Sequence, residues 1–364
     1  MNVYRHVTPL IVILLLTVLF VGVVTIHLTI ATAAPSPLEE GALKYRGVAV
    51  SDWSTNSYAS PGFSSSLTNL KKTEANYVCV CITLFSANNT SNTIFADPNY
   101  TETDASIIQA IKDIHAHGMG VMLKPMIFCN NDNEGQGALA PTNPAAWFAS
   151  YATFINHYAQ IAQKNHVELF CVGCELNHLD TSNYDANWRT VISGVRAIYK
   201  GPLTYAADWS RYAGISFWGG LDYVGIDAYF PLSNAQTPSV AALVSAWSHY
   251  VDSGPFGATH NWLQHIETLQ ATVHKPVIFT EIGYRSIDYA AKDPGNWQET
   301  GVYNANAQAN CYEAALQVFA NKPWFAGMFW WGWTPDPKAG GAGDTGYTPQ
   351  NKPAQSVLTA DWLP

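Results

Sequence analysis

The sequence is poor in charge. Only 12% of its residues are charged, and 18 basic residues stand against 27 acidic ones, for a net charge of -9. Nucleic-acid binding needs a basic footprint, so a nucleic-acid partner is excluded. No glycine-rich phosphate loop follows an early strand pattern, which argues against a doubly wound nucleotide-binding fold. No second ligand pair at finger-like spacing accompanies Cys171 and Cys174, so no zinc module is read. The strand ends carry no nucleophilic Ser with a nearby His. Nothing in the pattern calls for a metal or another cofactor.

Long apolar runs are also scarce. The one exception covers roughly residues 10–26, with Arg5 ahead of it and Ala31-Thr32-Ala33 behind it. A basic start, an apolar stretch and a small-x-small site define a secretory signal. Export is expected, with residues 1–33 removed. The run is rather long for a signal, so an uncleaved anchor tethering the chain outside a membrane is the alternative. Residues 34–43 read as a Pro- and Ala-containing linker and residues 44–364 as one domain, expected to be a monomer. An exported protein can form disulfides, and there are six Cys. Cys79 and Cys81 are two apart on a strand pattern and share a face. Cys171 and Cys174 also lie on a strand pattern, whereas a redox pair would open a helix. Buried thiols are the expectation.

Aromatic residues are plentiful, with 13 Trp and 19 Tyr. On a weakly charged chain they suit a binder of neutral rings such as sugars, or an aromatic-rich core. Composition leaves both readings open. Strand patterns occur at 46–51, 77–82, 120–123, 167–173, 203–207, 223–226, 276–281 and 326–331. Helical patterns fall between them at 65–74, from a cap at Asp104 to Gly118, and at 144–164, 183–199, 240–273 and 304–321. The 240–273 region carries a break near Gly254-Pro255-Phe256, and 212–218 holds only a short helical piece. Eight strands alternating with helices predict an α/β fold, a single-domain (β/α)8 TIM barrel.

In such a barrel, chemistry sits where strands end. The ends carry Asp52 and Trp53, Lys124, Glu175, Asp208 and Trp209, Asp227 and Tyr229, Glu281, and then Trp330, Trp331 and Trp333. Two Glu residues on strands four and seven, across the barrel mouth, are economical machinery for cleaving a glycosidic bond. One protonates the leaving oxygen, and the other attacks the anomeric carbon or activates water. Glu281 would need donors, which Tyr229, Arg285 or Lys124 could supply. Lys124 reads equally as the ion-pair partner of a barrel carboxylate and as a substrate contact. The Trp residues read as sugar platforms or as core.

Several segments together resemble glycoside hydrolase family 113. They are Lys124-Pro125, Gly173-Cys174-Glu175-Leu176, Leu203-Thr204-Tyr205-Ala206-Ala207, the run from Leu221 to Leu232, Phe279-Thr280-Glu281-Ile282-Gly283-Tyr284-Arg285-Ser286 and Phe329-Trp330-Trp331-Gly332-Trp333. The similarity spans roughly residues 45–358. It implies a retaining endo-β-1,4-mannanase of the (β/α)8 clan, acting on a β-linked polysaccharide or oligosaccharide. It also implies Glu175 as acid/base, Glu281 as nucleophile and Tyr229 as the hydrogen-bond donor to Glu281. Trp330 and Trp331 would form a subsite floor. Trp53, Lys124, Trp209, Asp227 and Trp333 are further candidates for substrate binding. Much of the clan has Asn before the acid/base, bonding the sugar 2-hydroxyl. Here that position is Cys174, and a thiol is a weak donor and acceptor. The alternatives are a glycosidase on another β-linked glycan, such as a β-mannosidase, glucanase or other hemicellulase, and a sugar-binding barrel without catalysis.

Overall fold

The computed structural model describes residues 43–129, 135–252 and 257–362. The N-terminal signal or anchor, nearly all of the linker, and the break near Gly254-Pro255-Phe256 lie outside the described residues. Eight parallel strands form the barrel: β1 (Tyr45–Val50), β2 (Tyr77–Ser86), β3 (Gly120–Cys129), β4 (Leu169–Cys174), β5 (Leu203–Asp208), β6 (Val224–Asp227), β7 (Val277–Ile282) and β8 (Phe325–Trp333). Each pairs with its sequence neighbours, and β8 pairs with β1 to close the barrel. The strands read as near-continuous apolar runs because both faces are covered. In β7 every residue is buried.

Among the described residues, eight helices wrap the sheet: α1 (Pro61–Lys71), α2 (Asp104–Ala116), α3 (Pro144–Lys164), α4 (Asp185–Ile198), α5 (Val240–Ala246), α6 (Trp262–Val273), α7 (Ala305–Phe319) and α8 (Pro353–Asp361). Six of their starts follow capping chemistry, in which a side-chain oxygen accepts from an otherwise orphaned N–H. Ser60, Asn143, Ser239, Asn261 and Asn304 do this for α1, α3, α5, α6 and α7. At α2 the cap is Thr103, not Asp104; Asp104 sits in the first turn, where its charge favours the helix dipole. Two short 3₁₀ turns, Tyr212–Gly214 and Phe217–Gly220, replace a helix after β5. The 240–273 region holds α5 and α6, separated by a two-stranded ribbon of Tyr250–Val251 and Thr259–His260.

The core has two layers. The larger lies between strands and helices; the smaller fills the barrel with Tyr45, Cys79, Cys81, Met122, Cys171, Cys174 and Phe329 among others. Gly47 makes room for one of these rings, since a Cβ there would stand 2.2 Å from Phe329. The barrel thiols serve as small apolar fillers. Cys79 and Cys81 sit 3.9 Å apart on one face, as their spacing predicts. Cys171 and Cys174, three residues apart, both point inward because the β4–β5 register shifts between them.

One strand differs in length from its sequence pattern in a way that matters. β3 does not stop before Lys124 but runs on to Cys129. Lys124 is therefore a mid-strand residue inside the barrel, fully buried. The polar stretch after β2 is also ordered on the barrel: Ile94–Phe95 pairs with Phe85–Ser86. Glu102 anchors its far end. Its Oε2 accepts from Thr83 N at 2.8 Å, and its Oε1 has no partner. Burial pushes its carboxyl up to about 8. The folded state therefore keeps a proton that the unfolded chain loses near pH 4.5, and stability falls as pH rises from there towards 8. Glu102→Gln should remove this slope. Urea unfolding should show the variant gaining on the parent by up to about 1.4 kcal/mol per pH unit across that window.

Candidate active site

The C-terminal strand ends open into a cleft of about 970 Å³. Glu281, next to last in β7, is buried at its floor. Both of its oxygens are engaged. Lys124 Nζ lies 2.5 Å from Oε1, and Tyr229 donates its hydroxyl to Oε2 at 2.6 Å. Burial and the Glu281 charge hold the Tyr229 phenol far above its ordinary value, so it stays a donor.

Lys124 also bonds both oxygens of Asp227 at 3.2 Å. Asp227 further accepts from Thr280 Oγ1 at 2.7 Å and from Cys174 Sγ at 3.3 Å. Burial works to lower the Lys124 pKa. The charges around it, Asp227 first, outweigh burial and hold the ammonium well above its usual value. Asp227 is pushed up by burial and then by Glu281, with Lys124 opposing. Ligand atoms of Cys174, Asp227 and Glu281 lie within 4.8 Å of one another, a spacing that would suit a metal. The Lys124 ammonium, bonded to both carboxylates, already supplies the cation there.

Glu175 follows directly on β4 and has left-handed backbone, φ 46°. Such a conformation costs a non-glycine residue about 1–3 kcal/mol and collects at functional sites. Its N–H bonds Ala206 O at 2.8 Å. Its side chain reaches the cleft and accepts from a neutral amide, Gln136 Nε2, at 3.2 Å. Burial, then the charges of Asp227, Glu281 and Asp208, hold its carboxyl well above the ordinary range. The floor thus carries one carboxyl bound to a cation and a phenol, and one pushed toward its neutral form.

The cleft walls are aromatic. Trp53, Trp209 and Trp331 line it, as do Tyr229 and Glu281. Trp53 is half exposed and rests on Phe128, ring centroids 4.5 Å apart. Four other candidates lie elsewhere. Lys124 and Asp227 are fully buried beneath the floor, each neutralised by the other, and do not line the cleft. Trp330 points outward and stacks on Tyr312 of α7 at 3.7 Å. Trp333 is buried, its Nε1 donating to Ser66 Oγ at 2.8 Å. Alternation should put Trp331 and Trp333 on one face, but the β1–β8 register shifts between them, so Trp333 turns into the outer core. Arg285 donates to the backbone carbonyls of Thr345, Trp297 and Glu299, and so ties loops together.

The structure adds lining residues that the strand-end reading missed: Gln136, Tyr100, Trp297 and Tyr347. All lie on loops, where no strand pattern marks them. The one signal in the sequence is Trp297, a lone aromatic in the polar run Asn296-Trp297-Gln298-Glu299-Thr300; the structure leaves it exposed.

The glycoside hydrolase family 113 model matches residues 51–352. The chain belongs to glycoside hydrolase family 113. The solved β-mannanase of that family from Alicyclobacillus acidocaldarius, in complex with ManMIm, is 25% identical. It covers 90% of this hydrolase and 99% of itself, with a TM-score of 0.76. A second structure, a family 113 β-1,4-mannanase complex, is 24% identical, covering 88% and 99%, with a TM-score of 0.75. A β-glucuronidase from Ruminococcus gnavus shares the fold at 12% identity, covering 89% of this hydrolase and 52% of its own chain, with a TM-score of 0.58. No curated protein sequence matches significantly.

The buried lysine gives this hydrolase a testable weakness. Lys124→Met leaves two carboxylates unpaired, which should cost about 3–5 kcal/mol at neutral pH. Without the cation, Asp227, already pushed up by burial and by Glu281, binds its proton more tightly still in the folded state. Stability of the variant should then fall as pH rises above about 4. Urea melts of parent and variant should accordingly converge in acid and diverge toward neutrality.

Proposed function

We propose that this glycoside hydrolase is an exported, retaining endo-β-1,4-mannanase. The observation that carries the mechanism is the opposite setting of the two floor carboxyls. Glu281, with Lys124 Nζ against one oxygen and the Tyr229 hydroxyl donating to the other, suits a nucleophile. Glu175, raised by burial and by its acidic neighbours, suits a proton donor. Raising one carboxyl while ionising another is how two such groups divide acid and nucleophile roles.

In the first step Glu281 attacks the anomeric carbon. The bond to the leaving oxygen breaks, and that oxygen takes the proton of Glu175. Ester formation removes the negative charge of Glu281, which ranks among the largest influences raising Glu175. Glu175, now ionised, is then the better base. In the second step it takes a proton from water, whose oxygen attacks the anomeric carbon. Glu281 leaves as carboxylate, and the β configuration is restored.

Support for mannan comes from the family 113 neighbour named a β-mannanase, 25% identical and covered over 99% of its length. Support for internal cleavage comes from the size of the cleft and from exposed Trp53 and Trp297 on its walls. Export rests on the N-terminal pattern of Arg5, the apolar run and Ala31-Thr32-Ala33.

Reducing-sugar release should be greatest on mannans in a panel that includes glucans and xylans, with oligosaccharides as first products; a preference for glucan or xylan would overturn the mannanase reading. Glu281→Ala and Glu175→Ala should each lower turnover by several orders of magnitude. Azide should rescue the first with inversion, and the second only on substrates with activated leaving groups. Proton NMR of the first-formed product should show the β anomer. An α anomer, or near-parental turnover in either variant, would sink the mechanism.

A further inference from the structure

We propose that Gln136 is the positioning residue of the acid/base, supplying from the β3–α3 loop the amide that the β4 end lacks. The proposal rests on the reading of Glu175 as acid/base. Gln136 is 5% exposed and opens a 3₁₀ turn, Gln136–Ala138, beside the cleft. The turn is pressed against the loop after β4: a Cβ on Gly137 would stand 2.8 Å from Asn177 Nδ2. Such close approach leaves the Gln136 side chain little freedom.

The two N–H groups of the amide meet two acceptors. Nε2 lies 2.9 Å from Cys174 Sγ and 3.2 Å from Glu175 Oε2. The thiol proton goes the other way, to Asp227 Oδ2 at 3.3 Å, so the sulfur is free to accept. Gln136 Oε1 is turned to Ile127 N at 3.4 Å. This assignment of oxygen and nitrogen is the one the network permits. Cys174 is too short to reach the cleft as a longer amide side chain would. Gln136 comes to its sulfur from the neighbouring strand end and occupies that side of Glu175.

Two consequences follow for the proton. While Glu175 is neutral, Oε2 accepts from Gln136, so the acidic hydrogen resides on Oε1. Once Glu175 is ionised, the same N–H stabilises the carboxylate, because a hydrogen bond to the charged form favours it. Gln136 thereby fixes which oxygen delivers the proton and keeps the raised Glu175 from becoming too weak an acid. The contacts continue from Gln136 through Cys174 and Asp227 to Lys124 and Glu281. One buried chain thus spaces the two floor carboxyls against each other.

The test is the pH dependence of kcat/KM on β-1,4-mannohexaose for the parent and for Gln136→Met, which keeps the volume and removes the amide. The basic limb, which reports the protonated acid of the free enzyme, should move up by about 0.5–1 pH unit. Turnover should fall about ten-fold or more, with KM little changed. The loss should shrink for a dinitrophenyl mannoside, whose leaving group needs little protonation. Gln136→Ala provides the same readout if methionine packs badly. An unmoved limb in a folded variant, or failure of both variants to fold, would overturn the positioning role. Parental rates in Glu175→Gln would overturn the acid/base reading and this proposal together. An inactive Glu175→Gln beside an unmoved limb in Gln136→Met would overturn this proposal alone.

Discussion

A single buried ammonium holds the floor of this barrel together. Lys124 Nζ bonds Glu281 and both oxygens of Asp227, and none of the three side chains is more than slightly exposed. Two carboxylates beside one cation leave the cluster with an excess of negative charge, and that excess faces Glu175. In a low-dielectric interior such charges act strongly on one another. Glu281 meets the cation by direct contact, while Glu175 feels mainly burial and then repulsion. Remove the lysine and Glu281 loses its cation, while Glu175, which the Lys124 charge pulls down, is pushed up further. The stability of the barrel and the division of labour between its carboxyls therefore rest on one contact.

Around this cluster the barrel departs from regular pairing. Register shifts occur between Cys171 and Cys174, between Phe279 and Glu281, and beside Trp331. A bulge re-aims the side chains beyond it. The shift at β4 turns Cys174 inward to bond Asp227, and the left-handed Glu175 behind it faces the cleft. The shift at β8 leaves Trp331 in the cleft wall and sends Trp333 to Ser66. Regular strands carry the core, and their irregular ends carry the site.

Much of this was legible from residue order. The eight strand patterns, the glutamates at the ends of the fourth and seventh, and the donor role of Tyr229 all correspond to the observed geometry. Lys124 was misplaced because a charged residue before Pro125 reads as a strand end, yet β3 continues for five residues past it. A lysine can sit mid-strand only if counter-charges meet it, and Asp227 and Glu281 lie more than a hundred residues away in sequence. Trp330 and Trp333 could not be separated from Trp331, since consecutive aromatic residues carry no mark of which face is wet.

By itself, the sequence determined the barrel and the two glutamates. Strand periodicity, apolar runs and strand-end residues are local properties, written in neighbouring positions. Only the tertiary structure decided which aromatic side chains meet the cleft, that Lys124 and Asp227 lie beneath it, and that Gln136 reaches Glu175. These outcomes depend on register shifts and on contacts across the barrel, where side chains remote in sequence come within bonding distance.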